Sequence, residues 1–192
     1  MRRVARFFPV AAAAALLLLL ASSASGANSR KPSARYASTA ALVKDAKLAA
    51  LVDALAKKGR VDDEYIGFAA QRSAVYAIYA KLARAASPAL MLRLLRHRSA
   101  AVRLYAAEHV VKKLRSKTAQ VYPLLADRSR ITTQSGCTVA TEAVGDALLQ
   151  TFANHASDKQ GAVLRALIRR AAADGRLPAP IRRSAKAFAK RL

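Results

Sequence analysis

Two stretches of this chain align without a gap at a 30-residue step, LLRHRSAAVRLYAA from Leu94 and LLADRSRITTQSGC from Leu124, with Leu, Leu, Arg and Ser coinciding. A third stretch, QRSAVYAIYA from Gln71, matches the second half of the same unit once one residue is skipped. A unit this short cannot bury its own apolar face, so its neighbours must cover it, and repetition of this kind implies helix pairs stacked on one another.

Helix signals recur along the rest of the chain. STAALVKDAKLAALVDALAKKG offers Ser38 or Thr39 as a cap, an apolar face through Leu48, Leu51, Val52 and Leu55, two lysines in its last turn and Gly59 at its end. After RVDD, with its acidic residues placed where a helix start favours them, Val75, Ile78, Tyr79 and Leu82 recur at helical spacing. Ser87-Pro88 pairs a capping hydroxyl with a first-turn proline and opens PALMLRLLRH, and Ser99 restarts the chain into AAVRLYAAEHVVKKLR. TEAVGDALLQTFANH, DKQGAVLRALIRRAAADG and PAPIRRSAKAFAKRL complete the series. No segment alternates apolar and polar residues as a half-buried strand would, so the expectation is an all-α fold, a short solenoid of antiparallel helix pairs over residues 38–192.

Ahead of that domain, MRRVARFF and the run VAAAAALLLLLA read as the basic and apolar parts of a signal peptide. Small residues then place cleavage after Gly26 or Ala27. The run is 12 residues, short of the roughly 20 that a spanning helix needs, which leaves an uncleaved membrane anchor as the alternative. Residues 27–37, polar and basic, read as a flexible lead-in, and export to a periplasm or to the outside follows. The formal charge of +23 becomes +20 without Arg2, Arg3 and Arg6, enough to draw the chain to anionic partners or surfaces. Nucleic acid is the less favoured partner, because no basic cluster is interleaved with aromatic residues. Membrane contact is expected only through the signal peptide or an anionic surface.

LLRHRSAAVRLYAAEHV resembles a HEAT-type repeat in its Leu-Leu pair, its tight turn and Val102-Arg103. The second copy is similar in Tyr122-Pro123-Leu124-Leu125 and Asp127, and departs in having no arginine at the position of Arg103. The likeness covers about residues 73–152. Gly136-Cys137 followed by Val144-Gly145-Asp146 further resembles exported bacterial HEAT-like proteins, a likeness that implies no activity. What the resemblance implies is a binding scaffold for a protein or an anionic partner, without catalysis or cofactor. It also implies a structural pair, Arg103 with Asp127, across the repeat boundary.

Two other readings stand beside the scaffold. Cys137, the sole cysteine, could act as a nucleophile with His109 or His155 as its base, although the alignment sets it opposite the small apolar Ala107 and implies a core position. A nonspecific polyanion or envelope-surface binder is the other. Cys137, Asp146 and His155 are acceptable zinc ligands, but they are scattered singly, without the short spacing of a metal site. Thr132, Thr133, Thr138 and Thr141 break the helical pattern, and Thr141 is placed to cap the next helix, with Asp146 in its first turn. Together these five residues are the candidate partner surface. Tyr65, Tyr76, Tyr79, Tyr105 and Tyr122 are expected between repeats, hydroxyls at the rim.

Overall fold

The computed structural model describes residues 36–157 and 161–192, so the expected signal peptide and all but the last two residues of the lead-in lie outside the described residues. Those last two are tied down. Tyr36 lies beneath the Arg103 guanidinium at 3.9 Å, and Ala37 exchanges backbone hydrogen bonds with Arg96 and Arg98.

The helices follow one another in pairs, packed in sequence. A single turn, α1 (Thr39–Leu42), leads into α2 (Ala46–Lys58), which Asp45 caps by accepting from Leu48 N–H, and which Gly59 ends in the left-handed conformation. α2 packs on α3 (Ala74–Ala85), capped by the Ser73 hydroxyl. α4 (Pro88–Leu94), with its Ser87 cap and first-turn proline, packs on α5 (Ala100–Lys113). A 3₁₀ segment (Arg115–Ala126) packs on α6 (Val144–Ala156), and α7 (Ala162–Ala173) on α8 (Ala179–Ala189). α5 is the hub. It touches α2, α4, α6, the 3₁₀ segment and a sheet, and every residue from Ala101 to Ala107 is buried.

The all-α solenoid is overturned by that sheet. In the first and third pairs the turn between helices is expanded into a β-hairpin: β1 (Arg60–Ile66) with β2 (Gln71–Arg72), and β3 (Arg130–Gly136) with β4 (Thr138–Ala143). Within each hairpin the strands are antiparallel, and β1 and β3 pair in parallel, giving the order β2-β1-β3-β4. RVDD is thus the start of a strand rather than of a helix. Thr132, Thr133, Thr138 and Thr141 are strand residues, and Ala143, not Thr141, precedes α6. Their β-branched side chains disfavour helix and suit a pleated surface equally well.

The repeat alignment holds through the turn and fails just beyond it. His97 and Asp127, equivalent in the alignment, each accept the backbone N–H two residues on: Ser99 N–H to His97 Nδ1 at 3.0 Å, and Ser129 N–H to Asp127 Oδ1 at 2.9 Å. After Ser99 the chain becomes a helix, whereas after Ser129 it becomes β3. Cys137 therefore does not share the buried environment of Ala107. It is exposed, at the β3–β4 turn.

Arg103 and Asp127 form a buried ion pair that joins these two turns. Arg103 Nε and Nη2 reach Asp127 Oδ2 at 2.8 and 2.7 Å, Nη1 donates to the His97 and Arg98 carbonyls, and Nη2 also donates to Ser129 Oγ. Both side chains are almost wholly excluded from solvent. At the base of the first hairpin, Tyr105 on α5 does similar work: its hydroxyl donates to the Asp62 carbonyl and accepts from Asp62 N–H. Asp62 in turn accepts from Arg60 Nε and Ser73 Oγ.

Gly145 sits where α6 crosses the end of the 3₁₀ segment, donating its N–H to the Asp127 carbonyl at 3.0 Å. A Cβ there would lie 2.3 Å from the Leu125 carbonyl oxygen, so one backbone would have to move. Gly145→Ala is expected to destabilise the protein by about 1–3 kcal/mol. In thermal unfolding that is a fall of roughly 2–4 °C per kcal/mol. An unchanged midpoint would show that the two segments are not this close.

Candidate functional site

β1 and β3 lean over α5 and α6, and between them lies a polar cleft of about 180 Å³ whose lining includes Asp63, Glu108, Glu142, Lys112 and His155. Its carboxylates are engaged from within. Asp63 accepts from Ser135 Oγ, Glu142 from Thr133 Oγ1 at 2.8 Å, and Glu108 from Lys112 Nζ at 3.1 Å. Burial lifts the Glu108 carboxyl above the ordinary carboxylate range; the Asp63 charge adds to the rise, while Lys112 and His155 oppose it. Among the described residues no three His, Cys, Asp or Glu side chains converge as metal ligands do.

The residues of the enzymatic reading are dispersed. Cys137 is on the hairpin tip and, among the described residues, hydrogen-bonds to no side chain. His109 is on α5, its Nδ1 3.5 Å from the Tyr79 hydroxyl, and burial, with Lys113 adding to it, lowers its affinity for a proton. His155 is in the last turn of α6 and lines the cleft, whereas Cys137 does not. Asp146 is in the first turn of α6, nine residues before His155 and about 13 Å from it along the axis, so the two cannot share an ion.

The threonines do come together. Thr132 and Thr141 face each other across β3 and β4 with hydroxyls 3.4 Å apart, and Thr133 is paired with Ala140. Beyond them is the sheet's far end, where Gly67 N–H donates to the Gly136 carbonyl at 2.8 Å and sets the two hairpin turns side by side. Gly67, Ala70 and Gly136 all have positive φ, the backbone geometry such turns require. Toward this end Phe68 is 100% exposed, Val139 59% and Tyr65 53%, three of the five exposed large hydrophobic residues among those described, and Cys137 in the β3–β4 turn is exposed as well.

Compared with known families, curated proteins and solved structures, the chain matches none.

Phe68 and Val139 were not evident as site residues in the sequence. The available signal was in IGFAAQ, where a lone large apolar residue beside a glycine belongs to no helical face. Of the tyrosines, Tyr79 and Tyr105 stack at 4.5 Å between α3 and α5, Tyr76 meets Tyr79 edge-on, and Tyr122 donates to Asp174 beneath the Arg170 guanidinium. Tyr65 alone among the five is on the tip. Among the described residues no helix is long and apolar enough to cross a membrane.

Proposed function

We propose that the chain is an exported protein-binding module, related to HEAT-type scaffolds, whose docking element is the joined pair of hairpins. The observation that carries this reading is the tip: a wholly exposed Phe68 with Val139 and Tyr65 at one end of a sheet anchored to the helices. Exposed aromatic residues held on a rigid base are what protein interfaces bury at their centres. The base is rigid for stated reasons, since Tyr105 fixes Asp62 and the Arg103–Asp127 pair fixes the turn that launches β3. The N-terminal MRRVARFF and its apolar run support export.

Replacing Phe68 and Val139 together by serine tests the reading. A partner recovered with the parent from its own source is expected to bind the double variant at least about 30-fold more weakly, since buried aromatic anchors contribute about 2 kcal/mol or more. Thermal unfolding should be unchanged, because neither side chain is buried. Equal affinity of parent and variant would reject the tip as the docking element.

A further inference from the structure

Positive charge is unevenly distributed along the chain. Residues 161–192 carry nine Lys or Arg against the single Asp174, and that carboxylate is already engaged by Arg176 and by the Tyr122 hydroxyl. α8 and its C-cap Lys190 sort their residues by face: Ile181 and Ala185 are buried and Phe188 packs against the core, while Arg183, Lys186 and Lys190 are exposed. The spacing of those three cations, i, i+3 and i+7, places them in one stripe along the helix. Among the described residues none of the three, nor Arg191, is paired with a carboxylate.

We propose that this stripe is a second interaction surface, which seats the protein on a bilayer rich in anionic phospholipid. Charge complementarity commits the occupant to a phosphate-bearing surface, and the shape of the site selects among such surfaces. The stripe is the outward side of one helix, about 16 Å long, which suits a plane of headgroups. A single-stranded nucleic acid would need aromatic rings on which to stack its bases. The only aromatic residue in 161–192 is Phe188, and it turns inward. Leu192, 46% exposed, follows Lys190 and Arg191 and provides an apolar group at the end of the stripe.

The test is sedimentation with vesicles of phosphatidylcholine, alone or containing one third phosphatidylglycerol, using the full chain and, beside it, the form that begins at Ala27. Three proteins are compared: the parent, the stripe variant Arg183→Gln/Lys186→Gln/Lys190→Gln, and a control, Lys44→Gln/Lys47→Gln/Lys57→Gln, which removes three exposed charges elsewhere. The parent is expected to bind the anionic vesicles, more weakly as salt rises. The stripe variant should lose roughly a hundred-fold in affinity, with the control close to the parent. All three should unfold at the same temperature. Equal weakening of both variants would mean that net charge alone is responsible and would overturn the proposal. So would a parent that ignores the vesicles and binds a single-stranded oligonucleotide instead. Phe68→Ser/Val139→Ser should bind vesicles like the parent, so this surface and the hairpin tip succeed or fail separately.

Discussion

Arg103→Met is expected to remove about 3–5 kcal/mol of stability, because it leaves the Asp127 carboxylate buried without its cation. The same substitution frees the His97 and Arg98 carbonyls and Ser129 Oγ, and takes away the cation beneath which Tyr36 is held. Arg103→Lys should recover little of the loss, since one ammonium cannot reach acceptors spread around a planar guanidinium. Asp127→Asn should cost less than Arg103→Met, because the amide oxygen can still accept from Ser129 N–H. Urea unfolding of the three variants gives the comparison directly. A loss below about 1 kcal/mol for Arg103→Met would place the pair with exposed surface bridges rather than buried ones.

Acid is expected to weaken the protein through His97. Its side chain is wholly buried, with Nδ1 accepting from Ser99 N–H, so the proton of the neutral ring is on Nε2, 2.9 Å from Thr39 Oγ1. The Thr39 hydroxyl then donates to Asp53. Burial, and after it the charges of Arg98 and Arg103, push the His97 pKa down to about 4, against the pull of Asp53. The unfolded chain, near the ordinary 6.5, therefore takes up its proton first as pH falls. Stability due to neutral His97 is complete above about pH 6.5, is lost progressively down to about pH 4, and totals about 3 kcal/mol. Glu108 slopes the other way, since its raised pKa makes it stabilising in acid and less so as pH rises through its folded value. That contribution is common to the parent and to His97→Asn, whose amide can accept from Ser99 N–H as Asp127 does from Ser129 N–H. The difference between their urea-unfolding free energies over pH 4 to 7 isolates the histidine. Parallel curves for the two proteins would contradict its assignment as buried and neutral.

Features governed by neighbouring residues were legible in the sequence. Gly59 ends α2, Ser87-Pro88 opens α4, and the Leu94 and Leu124 stretches do occupy equivalent turns, because caps and turns are local chemistry. The pairing of Arg103 with Asp127 was implied by the HEAT-type resemblance. Their complete burial was not, since it depends on Tyr36, His97 and Ser129 closing around them. The sheet was hidden for a physical reason. Almost all of β4 is exposed, so it has no buried face to impose alternation, and β1 finds its central partner more than seventy residues away, with Arg60 beside Thr132. Asp62 and Asp63 suit the first turn of a helix as well as they suit β1, and only the bond from Tyr105 and the pairing with β3 decide between the two. Cys137 departs from the position of Ala107 because the two copies part after Ser129, where the second becomes β3.

The docking tip exists only if the two hairpins stand side by side, and the lone native thiol gives a direct measurement of that. With Ala69→Cys as a second thiol, a bismaleimide reaching about 15 Å, the most that three residue steps and one strand spacing allow when counted from the Gly67–Gly136 hydrogen bond, should join residues 69 and 137 within a single chain. Mass spectrometry of the native protein is expected to find that intramolecular product as the main species. Two thiols that each label freely and yet never cross-link within the chain would contradict the paired hairpins and the docking surface built on them.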